Sequence, residues 1–401
     1  MSGAGSCRTA RFSRRDFLRD TLRAAGALAA SGPLGVGLTS CVPTPVTGAR
    51  NYGPLQGPDA NGLLLPAGFG SRVVAVSGQA VPGSAYVWHG QPDGGAVFAQ
   101  PGGGWVYTSN AELNAPSGGV GALRFDAAGN VVDAYSILTG TRRDCAGGPT
   151  PWGTWLSCEE TSGGKLFECD PSQPSIGVAR DAMGWFIREG AAVDPFNGHV
   201  YMTEDFPDGR LYRFEADAFP DLSSGTLWAA EVIGSDVFTT RPVQWIQITN
   251  PNPMFGELPT RYQAASSTPF NGGEGIFHFN GFIYFTTKND NRVWSLSTFT
   301  QQISLLYDAA TSGNPILRNV DNVFVTEVGD VFVAEDPDDL QIVAIAADGS
   351  LHPVVQVTGQ SNTEVTGPAL DPSGTRLYFS SQRGGPNGIG ITYEVTGPFL
   401  L

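Results

Sequence analysis

The chain reads as an all-β protein, and three observations carry that reading. Glycine (53) and proline (29) are abundant among 401 residues while charged residues make up only 15%, a mixture that suits short strands joined by tight turns. One phrase recurs six times: a polar or acidic residue, a short strand, a glycine-bearing turn, then an apolar strand ending in polar or acidic residues. Further strands follow most copies, such as Gly121 to Phe125, Gly209 to Phe214, Arg292 to Leu296 and Gln341 to Ala346. Four strands per unit at a period of roughly 40–60 residues is the signature of a β-propeller, so the repeats predict six blades over residues 86–401. A β-sandwich, the competing all-β architecture, leaves six equivalent phrases unexplained.

Taken in order, the first segment concerns export. Ser13-Arg14-Arg15-Asp16-Phe17-Leu18-Arg19 precedes a weakly apolar run, Ala24 to Leu38, broken by Pro33. This predicts a twin-arginine leader and not a spanning helix. Leu38-Thr39-Ser40-Cys41 has the form of a bacterial lipobox, so residues 1–41 read as a leader with Cys41 as a lipid anchor. Ordinary cleavage near Ala27-Leu28-Ala29 is the competing reading. The expected location is the periplasm or cell surface, with the membrane touched only through Cys41. Residues 42–85 read as an N-terminal extension.

The first copy of the phrase runs from Gln91-Pro92-Asp93 through Gly102-Gly103-Gly104 to Ser109-Asn110-Ala111-Glu112. The second is Cys145 to Glu160, and the third runs from Arg188-Glu189-Gly190 through Asn197-Gly198 to Glu204-Asp205. A long insertion, about residues 216–271, separates it from the fourth, Gly273-Glu274-Gly275 to Lys288-Asn289-Asp290. The fifth runs from Asp321-Asn322 to Glu335-Asp336 and the sixth from Glu364-Val365-Thr366-Gly367 to Gln382-Arg383.

The second copy is the most informative stretch. It reads as one hairpin, with its turn at Trp152-Gly153 and Gly147, Gly148 and Pro149 bringing backbone close to a neighbour. The start of the first strand and the end of the second lie side by side in an antiparallel pair, so Cys145 meets Glu159 and Glu160. A thiolate beside carboxylates is costly unless a metal ion compensates it; the bland alternative is a buried cysteine with two surface glutamates. Cys158 and Cys169 are symmetric about Gly163-Gly164, and a two-glycine hairpin there predicts a cross-strand disulfide, with Cys145 left unpaired.

Inner strands of a propeller start at one face and second strands return to it, so these ends converge on one mouth of the central channel. The residues there include Asp93, Glu112, Cys145, Glu159, Glu160, Glu189, Glu204, Asp205, Glu274, Asp321, Glu335, Asp336 and Glu364. So many carboxylates repel strongly without cations, which predicts a multi-metal cluster. The four histidines, His89, His199, His278 and His352, are scattered and argue against a histidine-rich zinc site. Oxygen ligands suit calcium, and an oxygen–thiolate set leaves iron open. The formal charge of −15 argues against nucleic acid as a partner.

In these residues the chain resembles the PhoX-type alkaline phosphatases, six-bladed propellers of the bacterial cell envelope. Cys145 to Glu160 matches that family's most specific motif, and weaker matches extend over nearly all of the remainder. They include Arg188-Glu189-Gly190-Ala191-Ala192-Val193-Asp194, Tyr201-Met202-Thr203-Glu204-Asp205, Glu274-Gly275, Asp321-Asn322-Val323 and Val333-Ala334-Glu335-Asp336. The resemblance implies ferric iron, Fe(3+), and calcium, Ca(2+), as cofactors. By position it implies Cys145 as an iron thiolate and Glu159, Glu274 and Glu335 as metal carboxylates, with Glu204 and Asp336 shared with calcium; Asp205, beside Glu204, completes the expected metal set. Asp144 stands where the family has asparagine, and Arg188 where it has histidine.

The expected function is a metal-dependent phosphomonoesterase acting on small phosphate esters as a monomer. Arg383, at the second-strand end of the sixth copy, is the expected catalytic residue, since a guanidinium matches two phosphate oxygens. Arg143 and Arg188 are weaker choices. The alternatives are a calcium-dependent lactonase-like hydrolase, needing one divalent ion and no iron, and a non-catalytic metal-binding scaffold; fold alone does not choose among them.

Overall fold

The computed structural model describes residues 52–399; the leader, its twin-arginine pattern and Cys41 lie outside the described residues. Two early strands, β1 (Leu63–Leu64) and β2 (Gly70–Val76), precede a series of antiparallel meanders. The first is β3 (Pro92–Ala99), β4 (Trp105–Ala111), β5 (Gly118–Phe125) and β6 (Val131–Thr141). The second is β7 (Asp144–Pro149), β8 (Trp155–Glu159), β9 (Leu166–Cys169) and β10 (Val178–Ala179). The third is β11 (Arg188–Val193), β12 (His199–Glu204), β13 (Leu211–Ala218) and β14 (Asp221–Val232), followed by β15 (Arg241–Gln247). Next come β16 (Gly273–Phe279), β17 (Phe282–Thr287), β18 (Arg292–Ser297) and β19 (Gln302–Asp308). The last are β20 (Val320–Val325), β21 (Val331–Glu335), β22 (Gln341–Ile345), β23 (Leu351–Val357), then β24 (Val365–Leu370), β25 (Arg376–Gly385) and β26 (Ile389–Thr396).

The arrangement is all-β and propeller-like. Each meander's first strand touches the next: β3 on β7, β7 on β11, β11 on β16, β16 on β20, β20 on β24, and β24 back on β3. Among the described residues the hydrogen-bonded sheets number five, because β15 pairs with both β14 and β19 and fuses two meanders into one nine-stranded sheet. The segment 216–271 thus holds β14, the bridging β15 and one helical turn, Thr260–Gln263.

The ring closes with strands from opposite ends of the chain. β2 is the outer neighbour of β26 in the sheet β2-β26-β25-β24, and β1 adds to β23. Arg72 on β2 pairs at 2.7 Å with Glu394, a buried carboxylate that Arg376 holds from its other side, also at 2.7 Å. Apolar clusters fill the space between neighbouring sheets; one joins Leu156, Cys158 and Leu166 to Val200, Tyr212 and Leu227. Among the described residues no helix is long and apolar enough to cross a membrane.

Glycines let the inner strands approach. A Cβ on Gly148 would stand 1.7 Å from the Ala191 carbonyl oxygen of β11, and one on Gly94 would stand 2.5 Å from Ala146 Cα. The neighbour that Gly148 approaches is therefore the third meander's backbone. Gly148→Ala is expected to destabilise the fold by about 3 kcal/mol, since backbone and not a flexible side chain must yield. Denaturant unfolding checks this, and an unchanged midpoint would contradict the packing.

The register overturns the expected disulfide. Cys158 lies opposite Leu166, and Cys169 opposite Trp155, because Glu160 to Lys165 form a six-residue loop and not a two-glycine turn. The two thiols therefore occupy different cores, Cys158 with Leu156 and Cys169 with Trp155, and both are free.

Candidate metal centre

A repeated backbone irregularity aims the channel side chains. Pairing between first and second strands jumps at Pro92/Gly95, Asp144/Gly147, Arg188/Ala191, Gly273/Ile276 and Val320/Val323. In each jump two residues oppose one, a β-bulge that re-aims a side chain. The first bulged residues are Asp93, Cys145, Glu189, Glu274 and Asp321. The sixth meander bulges one position later, between Thr366 and Ala369.

The residue just past the last one with which each second strand pairs to the first is fixed by an equivalent bond, although Gln382 still lies within β25. Its N–H donates to the carbonyl just before, or near the start of, the first strand: Glu112 to Gln91 (3.1 Å), Glu160 to Arg143 (2.8 Å), Asp205 to Ile187 (3.1 Å), Lys288 to Gly272 (2.8 Å), Asp336 to Asn319 (2.9 Å) and Gln382 to Glu364 (3.1 Å). These residues surround the mouth above the bulged ring. Beyond the bulges the channel becomes an apolar cavity of about 150 Å³, lined by Ala96, Val97, Phe277, Phe324 and Leu370 among others.

Four overlapping groups of possible ligand atoms result, each with its atoms within 4.8 Å of one another: Cys145, Glu160 and Glu189; Asp93, Glu112 and Glu364; Glu189, Glu274 and Asp321; and Asp321, Asp336 and Glu364. With Asp205, nine carboxylates face three cationic side chains, Arg143, Lys288 and Arg383. Arg143 pairs with Glu112 and, at 2.7 Å, with Glu160. Arg383 pairs with Glu364 at 2.6 Å and Glu112 at 3.4 Å. Lys288 Nζ lies 2.8 Å from Glu274 and 2.7 Å from Asp336. Glu189 is fully buried and neither of its oxygens has a hydrogen-bond partner.

The electrostatics follow from this crowding. Burial, then neighbouring carboxylates, hold Asp93, Glu189 and Glu364 well above the ordinary carboxylate range. Glu274 and Asp321 are also held well above it, by burial and their acidic neighbours, although Lys288 opposes the shift. Burial and Glu160 push Asp205 up to about 6 against the same lysine. Burial would raise Asp336 too, but its hydrogen bond with Glu364 and the Lys288 ammonium hold it below its usual value. Burial and the surrounding acids push the Cys145 thiol well up, so its thiolate needs a cation.

Of the expected metal residues, Cys145, Glu274 and Asp336 belong to these groups, and Asp205 lies beside Glu160 and Lys288. Glu159, Glu204 and Glu335 belong to none of them. Each pairs opposite the first residue of the inner strand or its neighbour, and its carboxylate fastens loops. Glu159 accepts from the Arg142 and Lys165 N–H groups at 3.1 and 3.0 Å, and Glu335 from those of Arg318 and Gln341 at 2.8 and 3.1 Å. Glu204 accepts from the Arg210 N–H at 3.2 Å and the Tyr212 hydroxyl at 2.9 Å, and pairs with Arg261. Arg383 and Arg143 reach the mouth; Arg188 does not. It is buried, donates to the Met183 and Gly184 carbonyls and lies over the Phe186 ring. Asp144 bonds Thr141 and Ser157 within the blade. Lys288 and Gln382 also stand at the mouth, outside the expected site residues; Gln382 donates to Glu112 at 3.1 Å and to Asp93.

A family model described as alkaline phosphatase PhoX matches residues 105–166 and 162–315. Among solved structures, Pseudomonas fluorescens PhoX in complex with vanadate, a transition state analogue, superposes with a TM-score of 0.68 at 17% identity, covering 87% of this chain and 98% of that one. A Bacteroides thetaiotaomicron protein of unknown function gives 0.51 at 9% identity, covering 82% and 76%. A gluconolactonase from Xanthomonas campestris gives 0.48 at 14% identity, covering 87% and 99%. No curated protein matches the sequence.

Proposed function

This chain belongs to the PhoX alkaline phosphatase family, and from that premise we propose that it is an extracytoplasmic, metal-dependent hydrolase of small phosphate monoesters. We assign it ferric iron and calcium at the channel mouth. The observation that carries the reading is Glu189, a buried carboxylate with two unpartnered oxygens among eight other acids and a thiol. Such a group is tolerated where a cation satisfies it. The donors fit the ions: carboxylates suit calcium, and a cysteine among them suits iron. The Arg14-Arg15 leader supports the location.

When bound, the ions supply Lewis acidity toward the phosphate oxygens. The chain's own residues hold and orient the ester. Arg383 offers a planar fork for two phosphate oxygens, and Glu364 and Glu112 fix its direction. Arg143, anchored on Glu112 and Glu160, borders the same mouth. Among the described residues no histidine lines it.

The test is turnover of p-nitrophenyl phosphate by protein purified without chelator, with metal analysis beside it. Activity that needs both iron and calcium supports the reading. Hydrolysis of lactones with one divalent ion and no iron would replace it, and metal without any turnover would favour a scaffold. Cys145→Ser is expected to lose any visible charge-transfer band and most of the activity while the fold persists. A variant with parental colour and rate would remove Cys145 from the centre.

A further inference from the structure

Lys288 is one of two lysines in the whole chain; nearly all other cationic side chains are arginines. Its position is acidic in most other meanders. Its N–H makes the same bond as those of Glu112, Glu160, Asp205 and Asp336, so backbone geometry places its side chain where theirs stand. Its Nζ lies between Glu274 at 2.8 Å and Asp336 at 2.7 Å. Those two carboxylates belong to different ligand groups, Glu189–Glu274–Asp321 and Asp321–Asp336–Glu364, which meet at Asp321.

An ammonium is a compact charge with three donors, whereas arginine's fork is broad and planar. A lysine can therefore enter a gap between two carboxylates sized for an ion. On the reading of this mouth as a metal centre, we propose that the Lys288 ammonium is a built-in cation of the cluster. It occupies the place between Glu274 and Asp336 and reduces by one the divalent ions the centre takes up. Unlike those ions it cannot be removed by a chelator.

Two measurements test this. Metal content per chain is compared between the parent and Lys288→Met, which keeps length and removes charge. The variant is expected to bind one more divalent ion. Amine acetylation of the parent, read by mass spectrometry, has its own reference in Lys165, which is partly exposed and pairs with Asp181 at 3.1 Å. Lys288 is expected to react at least tenfold more slowly than Lys165, both with metals bound and after chelation. If Lys288→Met does not fold, this second measurement decides. An unchanged metal count in a folded Lys288→Met overturns the inference alone, as does Lys288 reactivity that rises on metal loading, since the metal would then displace the ammonium. A parent that binds no metal overturns the metal-centre reading with it.

Discussion

Chelation is expected to abolish phosphatase turnover and to leave a folded protein whose stability falls as pH rises from about 4 toward 8. Asp93, Glu189, Glu274, Asp321 and Glu364 all sit well above the ordinary carboxylate range without metal, chiefly through burial and then through their neighbours. In the window between the unfolded and folded values, the fold binds more protons than the unfolded chain. Raising the pH therefore favours unfolding, by about 1.4 kcal/mol per pH unit for each carboxyl still protonated in the fold. The stability these groups contribute is complete below the unfolded value and disappears as pH climbs through the folded one. Bound metal reverses the sign, because its ligands are ionised and acid competes with the ions. Denaturant unfolding at several pH values, with chelator and with iron and calcium, separates the two profiles. A metal-free protein with a flat profile would mean that the mouth carboxylates do not repel one another as the structure implies.

Glu189→Gln is expected to cost at least one bound ion and roughly 100-fold or more in rate, while making the metal-free protein more stable by about 1–3 kcal/mol. The side chain is buried without a partner for either oxygen, so an amide of the same shape removes repulsion and loses no existing bond. Opposite signs in stability and activity mark a residue held for function. Glu159→Gln supplies the contrast. It weakens charged acceptance from the Arg142 and Lys165 N–H groups, so it is expected to cost about 1.5–3 kcal/mol of stability and to leave the metal count unchanged. Metal analysis and unfolding of both variants, with and without chelator, check the pair. If Glu159→Gln loses metal and Glu189→Gln keeps it, the two glutamates have been assigned the wrong way round.

The two glutamates also show what the sequence could and could not convey. The hairpin from Cys145 to Glu159 was legible from its glycines and its turn, and Asp144 does pair with Glu159. The recurring phrase located every inner strand, and the rim acids read from it include all nine that gather at the mouth. Which member of Glu159-Glu160, Glu204-Asp205 or Glu335-Asp336 faces the channel was not legible. Adjacent strand residues point to opposite faces, so one step of register exchanges their roles. The bulges that set that step go with close backbone approach between meanders, and only a partial local pattern announces them, absent at Cys145-Ala146 and Asp321-Asn322. An acid followed by glycine, as in Asp93-Gly94, Glu189-Gly190 and Glu274-Gly275, was the available signal for the bulged ring. The disulfide failed for a related reason: symmetry about two glycines does not fix a loop's length, and here the loop spans six residues.

The pairing of β2 with β26 bears on how the protein is made. The mouth draws its acids from as far along the chain as Glu364, just before β24, and the sheet holding β24 is completed by β2, from near the start of the described residues. A ribosome that has not yet released the last fifty residues has therefore produced most of the carboxylates but no closed cradle for them. Completion of the acidic mouth and of the ring become one late event, and a prematurely terminated chain lacks Glu364 and the latch around Glu394 together.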